Sequence, residues 1–106
     1  MKLGVVLYSN DPETVYQAFR LGNFALGKGD EVRVFLLAKG VECEDLDNEQ
    51  FNVTKEIKDF LEAGGRTFSC TSCMKLRAKG ETQACSLSKM SDLYNIIAES
   101  DRVVTF

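Results

Sequence analysis

The chain has 106 residues, 44% of them hydrophobic and 27% charged, with a formal net charge of −3 and no histidine. That is the length and balance of one domain, residues 1–106, with apolar content sufficient for a core and none of the bias that marks disorder. The acidic balance argues against nucleic acid and anionic membrane surfaces, which need a basic field, and the missing imidazole removes the usual general base along with any Cys-His pair or Cys2His2 metal site.

KLGVVLY, from Lys2 to Tyr8, is a short apolar run closed by Ser9, Asn10, Asp11 and Pro12. It reads as a strand buried on both faces and is too short for a signal-peptide core or a membrane span, which predicts a cytoplasmic protein. Asp11 is placed to cap a helix that has Pro12 at its first position and Glu13 in its first turn. Val15, Ala18, Phe19, Gly22, Ala25 and Leu26 then recur at helical spacing until GKG ends the helix. EVRVFLLA, residues 31–38, is a second buried strand, so residues 2–38 form one right-handed βαβ unit.

Residues 39–51 (KGVECEDLDNEQF) are polar and acidic and read as a loop with room for a helical turn. Val53, Ile57, Phe60 and Leu61 mark a second amphipathic helix, capped by Asn52 and closed by Gly64 and Gly65. RTFS is a third strand, and a short helix from Thr71 to Ala78 follows it with Gly80 as its stop. After the irregular GETQACSLS, Met90, Leu93, Ile96 and Ile97 define a last helix, and RVVTF a last strand. The order predicts an α/β fold: a doubly wound, mostly parallel sheet of four to five strands with helices on both faces, three layers of the flavodoxin-like or Rossmann-like kind.

In such sheets ligands bind beyond the carboxyl ends of the strands. The segments at Ser9–Asp11, Lys39–Cys43 and Cys70–Cys73 are expected along that edge. Asn10 is therefore a candidate substrate-binding residue, and Arg77 a second, able to hold an anionic donor. In a reducing cytosol the four cysteines, Cys43, Cys70, Cys73 and Cys85, point to catalysis, redox or metal chemistry rather than to a disulfide framework. Cys70 and Cys73, within FSCTSCMKLRAKG, sit where a strand passes into a helix, and unpaired backbone N–H groups there favour a thiolate. Attack by Cys70 and resolution by Cys73 follows from their spacing. Cys85 lies in the loop before the last helix, from which it can swing over the pair as a third catalytic thiol.

Several chemistries compete for this pair. A thioredoxin-like site needs a cis-proline opposite its CxxC, yet the sole proline is Pro12 at a helix start. A zinc or iron–sulfur site shows two close cysteine pairs and this chain has one, so no metal is expected. Phosphate or flavin binding is disfavoured by a glycine-free loop after the first strand that carries Asp11 and Glu13, so no cofactor is expected either. Burial of small, inert cysteines needs no chemistry at all. Carriage of sulfane sulfur needs only an exposed, low-pKa thiol, without histidine or metal.

The third strand ending in SCTSC, its continuation MKLRAKGETQACSLSKMSDLYNIIAESDRVVTF and the earlier KGVECEDL resemble the DsrE-like (DsrE/DsrF-like) sulfur-relay family, in a short stand-alone subgroup with a CxxC motif. The resemblance spans the whole chain. It implies a doubly wound parallel sheet and a cysteine after the third strand that receives and passes on persulfide sulfur, a role that falls on Cys70. The interval from Cys70 to Gly80 is longer than in single-cysteine members, so Cys73 stays a second candidate for the nucleophile. Neither Cys73 nor Cys85 belongs to the simplest family pattern. The partners implied are sulfur donor and acceptor proteins or small thiols, and exposed sheet edges add a homo-oligomer. The expected function is a persulfide carrier or a sulfurtransferase-like protein. The alternative is a non-catalytic α/β module whose cysteines bind a metal or sense redox state.

Overall fold

β1, Lys2–Leu7, is buried without a break from Leu3 to Leu7, as a strand covered on both faces must be. In the computed structural model, which describes residues 1–106, it is followed by α1 (Pro12–Gly27), β2 (Glu31–Leu36), a 3-10 segment (Ala38–Asp45) and α2 (Val53–Glu62). Then come β3 (Arg66–Cys70), α3 (Thr71–Leu76), β4 (Leu87–Ser88), α4 (Met90–Glu99) and β5 (Arg102–Thr105). The five strands form one parallel sheet in the order β4-β3-β2-β1-β5, with Val5 beside Val34, Phe35 beside Phe68 and Cys70 beside Ser88.

The strand order explains the layers. From β1 the chain steps outward through β2 and β3 to β4, and then returns to the far side of β1 through α4. One face of the sheet packs Val5, Leu7, Val34 and Leu36 against α1 and α2, where Phe19 and Phe60 meet edge to face at 5.5 Å. The other face packs Val6, Phe35 and Cys70 against Leu93 and Ile96 of α4. Because side chains alternate along a strand, Ser69 and Cys70 of β3 point to opposite faces.

The helix ends follow the capping rules. Asp11 accepts the Thr14 N–H at 2.9 Å, and Asn52 accepts the Lys55 N–H at 3.2 Å. Asn52→Ala is expected to lower the unfolding free energy by about 1 kcal/mol. The urea midpoint at constant slope measures this, and an unmoved midpoint contradicts it. α1 and α2 close on Gly29 and Gly64, with φ of 89° and 96°. α3 ends in the same pattern two residues before the expected Ala78, because Ala78 itself turns left-handed at φ 51°. Its N–H bonds the Lys75 carbonyl and that of Lys79 bonds Met74, both at 3.0 Å, so Gly80 plays no part in the stop.

Two other elements differ from expectation. β2 stops at Leu36 because Ala38 takes φ 51° and opens the 3-10 segment, which occupies residues 38–45 of the acidic stretch. Leu87 and Ser88, within the stretch read as irregular, add a fifth strand along Ser69 and Cys70. Two residues are too few to show a period in the sequence.

Candidate thiol site

Cys70 is the last residue of β3 and the N-cap of α3, so its thiol leaves the sheet at the carboxyl edge. It is 7% exposed and opens onto a depression of about 280 Å³ whose wall includes Ser72, Lys75, Ser88, Lys89 and Met90. Thr71 Oγ1 donates to the Ser88 carbonyl at 2.8 Å, which holds β4 against the start of α3. The register of Cys70 with Ser88 is what carries Lys89 to this wall.

The two thiols of the pair are driven in opposite directions. Burial pushes the Cys70 thiol up, but hydrogen bonds from the Ser72 hydroxyl at 3.3 Å, from the Cys73 thiol, and from the Cys73 and Ser72 N–H groups outweigh it, leaving the pKa below the ordinary 9.0. Burial, and then the hydrogen bond to Cys70, push Cys73 up, against the opposing Ala38 N–H and the Arg77 charge. That N–H lies 3.3 Å from Cys73 Sγ. The pair therefore shares a proton that Cys73 keeps and offers to a Cys70 thiolate. With limiting iodoacetamide, Cys70 is expected to label first, its rate rising with pH through a midpoint below 9.0 and that of Cys73 through one above it. Peptide mapping across a pH series reads both midpoints, and coincident midpoints contradict the assignment.

A polar bracket joins the three neighbouring loops. Asn10 Nδ2 donates to Glu42 Oε1 at 3.3 Å, Arg77 Nε donates to Glu42 Oε2 at 2.8 Å, and Arg77 Nη1 donates to the Cys73 carbonyl at 3.1 Å. The loops after β1, β2 and β3 thus converge at one edge. Asn10 and Arg77 meet there through Glu42, and they brace the Cys73 turn of α3. The Glu42 carboxyl is held below the usual carboxylate range, first by the Arg77 hydrogen bond and then by Asn10. Arg77 is thereby committed to an ion pair, and the cations in the wall of the Cys70 depression are Lys75 and Lys89.

Cys85 is placed elsewhere. It belongs to the irregular segment before β4, in the cluster on the face across the sheet from Cys70. Cys85 is buried there in the same cluster as Cys43, so in this conformation it does not swing over the Cys70–Cys73 pair. Cys73 packs against both clusters, at the edge where the two faces meet.

Sequence reasoning passed over Glu42, Ser72, Ala38 and Lys89. Ser72 stands inside the motif and was open to notice as a donor to Cys70. Glu42 has no sequence mark that separates it from Glu44 or Asp45, and Lys89 needs β4 to bring it in. No three Cys, Asp or Glu side chains converge as a metal site. No helix is long and apolar enough to cross a membrane.

Comparisons with known proteins agree with this architecture. The chain is 36% identical over 100 residues to the uncharacterized protein MJ0989 of Methanocaldococcus jannaschii, covering 89% of this chain and 88% of that one. It is 32% identical over 100 residues to the uncharacterized protein MK0008 of Methanopyrus kandleri, covering 89% and 83%. In fold it is similar to the ychN protein from E. coli, with a TM-score of 0.85 at 17% identity and full coverage (100%) of both chains. It is also similar to the conserved protein BT1422 of Bacteroides thetaiotaomicron, with a TM-score of 0.76 at 14% identity, covering 99% of this chain and 94% of that one. The family model of the DsrE/DsrF-like family matches residues 1–106, and the chain belongs to that family.

Proposed function

We propose that the chain is a sulfur-relay protein in which Cys70 takes up sulfane sulfur and Cys73 governs its release. Family membership supports a relay-type role in general. The observation that carries the finer reading is the split pair: a thiol held below its ordinary pKa at the mouth of a depression, one turn from a thiol held above it.

The chemistry needs no metal and no imidazole. The Cys70 thiolate attacks the outer sulfur of a donor persulfide, R–S–SH. A bond forms from Cys70 Sγ to that sulfur, the donor S–S bond breaks, and the donor leaves as R–S⁻, which takes a proton from water. Lys75 and Lys89 favour an anion at this position, whether thiolate or persulfide. Discharge then has two balanced routes. An acceptor thiolate attacks the outer sulfur and frees the Cys70 thiolate. Alternatively Cys73 loses its proton and attacks Cys70 Sγ, forming a Cys70–Cys73 disulfide as hydrosulfide leaves. The raised pKa of Cys73 holds the second route back while an acceptor is present, which makes the protein a carrier first.

Donor and acceptor proteins or small thiols are the partners of this reading, in a cytoplasmic setting. A homo-oligomer belongs to it as well, supported by Met90, Tyr94 and Ile97, which stand exposed on α4. Light scattering is expected to give a mass above that of one chain. The relay itself is tested by incubation with a small persulfide donor followed by non-reducing mass spectrometry, with added sulfur at Cys70 expected. A folded chain that takes up none contradicts the proposal.

A further inference from the structure

Across the sheet from Cys70 lies a second pair of thiols that the relay chemistry leaves unused. Cys43, in the 3-10 segment, and Cys85, in the loop before β4, are 0% and 2% exposed. They share one core cluster. Three features separate this pair from cysteines that only fill space.

Their two carrier segments are cross-linked beside the thiols. Thr82 Oγ1 donates to Glu44 Oε1 at 2.7 Å and accepts the Cys85 N–H at 3.0 Å, and Lys79 pairs with Asp45. Next, Ser69 Oγ is buried against this cluster without a hydrogen-bond partner. An orphaned buried hydroxyl calls for a reason, and here its hydrogen is free to turn to a Cys85 thiolate, which it stabilises. Finally, a cleft of about 220 Å³ runs between α2 and the loop, with Glu44, Gln83 and Ala84 in its wall. Glu44 adjoins Cys43 in sequence and Ala84 adjoins Cys85, so the wall of the cleft is built from the chain neighbours of two thiols that are themselves buried.

We propose that Cys43 and Cys85 form a second thiol site, which a low-molecular-weight disulfide, R–S–S–R, converts to an intramolecular disulfide tying the 3-10 segment to the loop before β4. The Cys85 thiol gives its proton to solvent and attacks one reagent sulfur. A Cys85–S–R bond forms, the reagent S–S bond breaks, and R–S⁻ leaves. Cys43 then loses its proton and attacks Cys85 Sγ, forming the Cys43–Cys85 bond and expelling the second R–S⁻. Two protein thiols are oxidised and one R–S–S–R is reduced to two R–SH. Cys85 attacks first because interaction with Cys43, and then a Ser69 hydroxyl free to turn to it, favour its thiolate against the cost of burial, while interaction with Cys85 and burial hold Cys43 protonated.

The disulfide would fix the segment that carries Glu42, and with it the bracket behind Cys73. Oxidation state on one face thus sets rigidity at the relay edge on the other. The proposal stands without the relay chemistry at Cys70.

Its test is incubation of the folded chain with oxidised glutathione, then alkylation of the remaining thiols and peptide mapping, in the wild type and in a Cys70→Ser/Cys73→Ser variant. A Cys43–Cys85 linked peptide is expected in both, with loss of two hydrogens in the variant's mass. The variant's unfolding midpoint should rise by about 10 °C and fall back with dithiothreitol. The wild-type map stands alone if the variant does not fold. Cys43 and Cys85 both alkylated, a stable mixed disulfide with glutathione, or a linked peptide formed only in denaturant would each overturn the proposal. Sulfur uptake in a Cys43→Ser/Cys85→Ser variant reports on Cys70 separately, so either reading can fail alone.

Discussion

Cys70→Ser is expected to abolish sulfur uptake, reducing it to the level of a chain lacking both thiols of the motif. Cys73→Ser is expected to keep uptake and to abolish the disulfide-forming release, leaving discharge to an acceptor thiol. The asymmetry follows from the site. A serine hydroxyl at position 70 gains the same donors but does not ionise near neutral pH, so no nucleophile remains at the depression. At position 73 serine keeps a donor toward Cys70 and still accepts the Ala38 N–H, so the geometry of capture is preserved. What disappears is the resolving sulfur. Time-resolved intact-mass measurement with a persulfide donor reads loading, and release of hydrosulfide reads discharge. Uptake lost in Cys73→Ser but kept in Cys70→Ser would invert the assignment.

Gly40→Ala is expected to be the most damaging small substitution in the chain. A Cβ at Gly40 would stand 2.0 Å from the Leu7 carbonyl oxygen and 2.8 Å from its carbon, backbone atoms of β1 that cannot rotate aside. The Leu37 N–H donates to that same oxygen at 2.9 Å, and the Gly40 N–H donates to the Leu37 carbonyl at 2.9 Å, so the 3-10 segment is pinned where the clash occurs. A loss of about 3 kcal/mol is expected, with the segment displaced from β1. Ala38 and Glu42 move with it, so Cys73 loses its backbone donor and its alkylation midpoint should climb further. Gly27→Ala is the control, since its added Cβ meets nothing within 4 Å. Urea unfolding compares the two, and equal midpoints would show that the close approach at Gly40 is not structural.

The expected strands β1 and β2 and helices α1, α2 and α4 were legible because each combines a burial period with a local stop or cap. Val15, Ala18, Phe19 and Gly22 sit on the buried side of α1, and Asp11 and Asn52 cap as their side chains predict. The location of Cys70 and Cys73 was legible for a related reason: a strand too short to continue meets a run that can only be helix. The bracket was not. Ala38 and Ala78 adopt a left-handed backbone that alanine does not announce; Ala38 is held there by its N–H to Cys73 Sγ, and Ala78 by the closing bonds of α3. The Arg77–Glu42 pair spans two loops, and nothing local distinguishes Glu42 from its acidic neighbours.

Cys85 shows the limit most clearly. Its place in a loop after the motif allowed a role over Cys70, but the side of the sheet it occupies depends on β4, two residues with no readable pattern. Cys85 lies in the segment that leads into β4 and is buried in the same cluster as Cys43.

The central claim is tested most directly by locating the sulfur. The folded chain is exposed to one equivalent of a small persulfide donor, alkylated without reductant, and the peptide carrying both motif cysteines is fragmented. One added sulfur atom on Cys70, released by dithiothreitol, is the predicted result. A folded chain with no added sulfur on that peptide, or with sulfur on Cys43 or Cys85 in its place, would contradict it.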